Sequence, residues 1–181
     1  MKLSFKNVMK IALVLMIVAG LSGALIVLVN KITAPIIAQN EIRQEQVAQE
    51  AIFASASFTP LVELDDGDIV KVSEARRNNE VIGYVYRLSG KNAYGVVSLL
   101  IGINDKGVVS KVVILENGQS FASKLDAHVQ NTYQNVDIDG SSISGVDVKC
   151  GATFGAKLVK RLIQSALDHY NNNYKGGLSN E

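Results

Sequence analysis

The chain has 181 residues, with 18 Lys and Arg against 17 Asp and Glu and a single cysteine, Cys150. That balance offers neither a basic surface for nucleic acid nor an acidic tail for a cationic partner, and one cysteine excludes an intramolecular disulfide. His128 and His169 stand far apart, without HExxH, CxxC or paired Cys/His spacing, so no zinc or iron–sulfur centre is expected, and the lack of tryptophan removes the usual stacking surface of single-strand binders.

Ile11 to Val29 reads IALVLMIVAGLSGALIVLV, an uncharged apolar run. At about 1.5 Å per residue it is long enough for a bilayer core of roughly 30 Å. Lys2, Lys6 and Lys10 precede it, and only Lys31 follows before Glu41. This asymmetry predicts a cytoplasmic N-terminus and a soluble part on the far side of the membrane. The run is longer than a signal-peptide core, and no clean A-x-A site follows it, so an uncleaved anchor is expected. What remains is roughly 150 residues, the size of one domain.

Pro35 is expected to loosen the exit from the membrane. Ile36 to Ala54, rich in Gln, Glu and Ala, reads as a stalk or a first helix. Phe58 to Arg77 reads as two short strands around the turn Asp65–Asp68, whose DDGD string lacks the spacing of a calcium loop. Val81 to Leu88 and the continuous apolar run Gly95 to Ile103 read as strands. The turn Asn104–Gly107 joins the latter to Val108–Leu115 in an antiparallel hairpin. A short helix is expected over Phe121–Asn131 and a loop over Asp137–Gly145. Leu158, Val159, Leu162, Ile163, Ala166, Leu167 and Tyr170 recur at three–four spacing, which predicts an amphipathic helix over Gly155–Tyr170. The polar tail from Asn171 is expected to fray. The predicted class is α+β: one N-terminal transmembrane helix, then a mainly antiparallel sheet with helices packed on one side. The expected divisions are 1–32 (flank and membrane helix), 33–57 (stalk or first helix), 58–172 (the folded domain) and 173–181 (tail).

Asp147 to Phe154, DVKCGATF, is a small-residue loop running directly into that last helix. Free backbone N–H groups and the positive end of the helix dipole at such a junction favour a phosphate. Gly151 and Ala152 let a bulky group approach the backbone. The hydroxyl of Thr153 has two uses there: capping the helix or being esterified. Lys149 and Lys157 flank the position.

The string D-x-x-C-G-A-T resembles the flavinylation motif D-x-x-(S/T)-G-A-T of the FMN-binding domain found in RnfG and NqrC proteins, subunits of ion-translocating electron-transfer complexes. The order of one span, a stalk, the Gly83–Tyr84 strand, the Tyr94–Gly95 strand start, the IGINDKGVVSKVVIL hairpin and a closing helix is similar as well. The chain length is closer to RnfG than to NqrC. The resemblance implies FMN joined by a phosphoester bond to Thr153, installed by a Mg-dependent flavin transferase with FAD as donor. Asp147, Gly151 and Ala152 would be its recognition positions. Cys150 stands in the Ser/Thr slot, and its thiol is read as a small residue rather than a redox group. The family's E-T-P-G-L-G stretch is represented by Gln119, Ser120, Phe121, Ala122 and Ser123, which keep hydrogen-bonding types at the first two positions and lose the Pro-Gly pair.

No catalytic nucleophile, general base or substrate pocket stands out. The resemblance therefore implies an electron relay within an Rnf-type ferredoxin:NAD oxidoreductase complex, partnered by other membrane subunits, rather than a complete enzyme. The alternatives are an NqrC-like or other flavinylated respiratory subunit, or a flavin-free tethered binding or assembly module.

Overall fold

A computed structural model describes residues 5–64, 67–134 and 137–175. Two compact units divide it, Met1–Arg43 and Gln44–Glu181.

The first unit is the apolar part of helix α1 (Phe5–Ile52), which is long and apolar enough to cross a membrane. Its large apolar side chains from Val8 to Ile37 are exposed, as a lipid-facing helix requires. Pro35 does not end the helix, contrary to the expected loosening. Proline removes one N–H from the ladder and strains one turn. The helical residues on both sides keep α1 regular, and the Thr33 hydroxyl donates to the Val29 carbonyl at 2.9 Å. The predicted Ile36–Ala54 helix is thus a continuation of α1.

In the second unit five strands follow: β1 (Ser57–Glu63), β2 (Ile69–Arg77), β3 (Glu80–Asn92), β4 (Gly95–Asn104) and β5 (Val109–Asn117). They form an antiparallel meander in the order β1-β2-β3-β4-β5. Pro60 lies on the edge strand β1, beside a break in register, where its missing N–H does least harm. Helix α2 (Ala122–Thr132) follows, then a 3-10 turn at Ile143–Gly145, then helix α3 (Thr153–Asn173).

The continuous apolar run of β4 has a plain cause: the strand is covered on both faces. Val97, Leu99, Ile101 and Ile103 join Tyr86 and Leu88 against α2 and α3 in the main core. All seven predicted apolar positions of α3 are buried there, each large aliphatic contributing about 2 kcal/mol. Leu100 faces the other way, with Ala75 and Val85, onto Ala48 and Phe53 at the end of α1. The helices therefore cover both sides of the sheet, not one. Gly102 makes the second contact possible, since a Cβ there would sit 2.1 Å from Ile52 Cγ2. The buried Glu45 carboxylate fixes the same face, accepting from Lys71 and Arg87 at 2.9 Å each.

Asp65 and Asp66 of the acidic turn lie outside the described residues. Asp68 accepts from the Arg161 guanidinium at 3.0 and 3.1 Å, which ties the turn to α3. At the other end of α3 fraying is expected from Asn171, but the described chain stays ordered past it, and residues 176–181 lie outside the described residues. The helix runs to Asn173, and the Tyr174 ring stacks on Tyr84 with centroids 4.3 Å apart. The Tyr170 hydroxyl donates to the Asp105 carbonyl in the hairpin turn at 2.9 Å.

Candidate functional site

The segment before α3 alternates. Val146, Val148 and Cys150 are half-buried against the main core, and Asp147 and Lys149 are exposed. Lys160, two turns into α3, donates its ammonium to the Ser144 and Val146 carbonyls at 2.7 and 3.0 Å and holds the loop to the helix. The Asp147 carboxylate accepts from the Lys149 N–H at 3.0 Å. Gly151 then turns the chain with φ +75, a left-handed conformation that favours glycine. Ala152 is the N-cap residue, and Thr153 is the first residue of α3. No side chain caps this helix, so the Thr153 hydroxyl is not used as a cap. The first N–H groups of α3, at Thr153, Phe154 and Gly155, precede any intrahelical partner.

A cleft of about 270 Å³ opens at this point, lined by Tyr94, Gln119, Ser120, Phe121, Gly151, Ala152, Thr153, Phe154 and Gly155. Five of the seven sequence-predicted site residues thus meet: Gln119, Ser120, Gly151, Ala152 and Thr153. Asp147 and Cys150 do not line it. The Cys150 side chain packs on the core side of the loop, which suits a small, weakly polar residue in that slot. Gln119 is buried and rigid. Its amide donates to the Gly95 carbonyl at 2.7 Å, and its own N–H reaches the Asn117 side chain at 3.1 Å.

Three aromatic residues rim the cleft and remain 45% (Tyr94), 55% (Phe121) and 60% (Phe154) exposed, unusual for large apolar side chains that could have been buried. Tyr94 and Phe154 stack with centroids 5.0 Å apart. The Asn92 side chain fixes both, accepting from the Tyr94 N–H at 2.8 Å and donating to the Phe154 carbonyl at 3.2 Å. These rings come from the β3–β4 turn, the head of α2 and the head of α3. No local pattern in the sequence marks them as a set. A larger groove of about 610 Å³ runs along β5 between Ala51 and α2, and shares no lining residue with this cleft.

Beneath the loop, Tyr133 and His128 meet edge to face at 6.2 Å. Burial, aided by Cys150 nearby, pushes the Tyr133 phenol up to about 12. Burial also lowers His128 from the ordinary 6.5, partly opposed by Asp147, and burial lowers His169. The folded protein therefore resists protonating these two imidazoles, whereas the unfolded chain takes the protons near the ordinary value. Stability should be level above about pH 6.5 and decline as the pH falls through it. Urea midpoints between about pH 7.5 and about pH 5.5 check this; a level profile contradicts it.

The fold and site together describe a membrane-anchored α+β domain with an aromatic-rimmed cleft at a helix head. Residues 1–52 match the RnfG N-terminal region family model. The G subunit of the Na(+)-translocating ferredoxin:NAD(+) oxidoreductase complex of Acetobacterium woodii is 23% identical over 133 residues, 66% of this chain and 64% of that protein. The chain thus spans about 64% of the length of the relative it matches. In both comparisons the chain is similar to RnfG proteins.

Proposed function

We propose that this chain is the electron-transfer subunit of an Rnf-type ion-translocating ferredoxin:NAD oxidoreductase complex and carries FMN on Thr153 through a phosphoester bond. The observation that supports it best is a coincidence of sequence and place. The D-x-x-C-G-A-T string ends at the helix head, and its hydroxyl, unused by the fold, lines a cleft walled by three aromatic rings. The A. woodii relative supports the choice of complex.

The residues present fit the group. Thr153 would supply the ester oxygen, and the open N–H groups of the first turn of α3 would be available to the phosphate. Gly151 leaves the backbone accessible, and Tyr94, Phe121 and Phe154 offer faces to a planar ring system. Buried Gln119 gives the opposite wall a fixed shape. When bound, FMN supplies one- and two-electron transfer, which no side chain of the chain does. The protein's share is to hold it by a bond that prevents loss and to limit water at the ring.

The lysines before the apolar run support an orientation with the N-terminus in the cytoplasm and the flavin domain outside. Partners are the other membrane subunits of the complex and, during maturation, a flavin transferase that uses FAD. The intact mass of protein produced with that transferase should exceed the sequence mass by one esterified FMN, and the purified protein should be yellow. Colourless protein of unmodified mass overturns the reading and leaves a flavin-free tethered module in its place.

A further inference from the structure

The heads of α2 and α3 lie on the same cleft, through Ser120–Phe121 and Ala152–Gly155. Helix heads carry partial positive charge and normally attract acidic residues into their first turns. Here neither first turn contains one. The first turn of α2 instead contains a cation, Lys124, against the local preference. Its exposed side chain runs beside two residues that line the cleft, Gly151 and Phe121. A Cβ built on Gly151 would lie 3.2 Å from Lys124 Cδ and 3.4 Å from its Nζ, so the lysine lies directly along the Gly151 backbone. The ammonium is also 5.4 Å from the centre of the Phe121 ring.

The carboxylates closest in sequence to Lys124 and Gly151 are engaged elsewhere. Asp126 accepts from the Asn117 amide at 2.6 Å and Asp147 from the Lys149 N–H. Among the described residues no carboxylate forms an ion pair with Lys124. Two helix heads and an ammonium therefore converge on one lip, two residues along the chain from the Thr153 hydroxyl, and their positive charge calls for an anion.

We propose that Lys124 is the counter-cation of this site, its ammonium pairing with the phosphodiester that joins FMN to Thr153. The assignment rests on the reading of Thr153 as the flavin acceptor. It also gives Gly151 a second role, since a Cβ there would crowd the Lys124 side chain.

The test uses full-length protein produced with its flavin transferase, as wild type, Lys124→Gln and Lys124→Arg. Phosphorus NMR of the flavinylated protein reads the diester directly. The resonance should shift in Lys124→Gln and return close to the wild-type position in Lys124→Arg. With limiting transferase, flavin loading of Lys124→Gln should fall about tenfold, as expected for one lost charge-assisted contact. A phosphorus resonance identical in wild type and Lys124→Gln overturns the pairing, whatever the loading, and leaves the flavin reading intact. Wild-type protein without FMN overturns the flavin reading itself, and the pairing with it. Because Lys124 is exposed, both variants should melt with the wild type.

Discussion

Replacing Thr153 by alanine should abolish covalent flavin and leave the fold standing. The two effects separate because the side chain does little for stability. It is only half-buried, it does not cap α3, and the helix starts from Ala152. Losing its hydroxyl and methyl should therefore cost no more than about 0.5 kcal/mol, the range of ordinary surface changes. Chemically the change is complete, since no other hydroxyl occupies that position on the helix. Denatured wild-type protein should fluoresce on a gel, Thr153→Ala should be dark, and thermal unfolding of the two should nearly coincide. Thr153→Ser keeps the oxygen and should keep part of the label. Full fluorescence in Thr153→Ala would move the attachment elsewhere.

Gly95→Ala should be far more damaging to stability, although it adds one methyl group at a strand end. Gly95 has φ +138, and a Cβ there would meet the Gly118 carbonyl oxygen at 2.1 Å and its carbon at 2.6 Å. The obstacle is backbone, so no side chain can swing away. That backbone is held in turn, because the Gly118 N–H donates to the Val96 carbonyl at 2.8 Å and the Gln119 amide to the Gly95 carbonyl. Unfavourable φ and displaced hydrogen bonds together should cost about 3 kcal/mol. The segment that follows Gly118, 119–121, forms one wall of the cleft, so flavin loading should fall along with the melting temperature. Gly145→Ala is the matched control: a Cβ there meets nothing within 4 Å. Equal melting of the two variants would show that the Gly95 contact relaxes at little cost.

The parts of the fold legible in the sequence were those with a strong period or a strong turn. The apolar run of α1, the β4–β5 hairpin around Asn104–Gly107 and the buried stripe of α3 all belong to that class. The second face of the sheet was not legible, because its contact depends on a missing side chain, Gly102, opposite Ile52. Nor was the passage of α1 through Pro35, where local proline chemistry is outweighed by the helical residues on both sides. The site divides in the same way. Thr153, Gly151 and Ala152 are contiguous and could be read as a string. Tyr94, Phe121 and Phe154 come together only through strand register and helix packing, and Lys124 looks like any other lysine until Gly151 is seen beside it.

The meander has a consequence for timing. Each strand pairs with the one made just before it, so the sheet can zip in step with synthesis, with little cost for closing long loops. The lid of the main core is made after the sheet, because α3 follows all five strands in the chain. Tyr94 and Gln119 wait for it, since the cleft they line lacks a wall until the head of α3 docks. The Thr153 hydroxyl, proposed above as the flavin acceptor, therefore reaches the full cleft only once α3 has docked. A modifying enzyme that reads those surroundings as well as the string would leave incomplete or misfolded chains unlabelled, and the colour of the protein would then certify its folding.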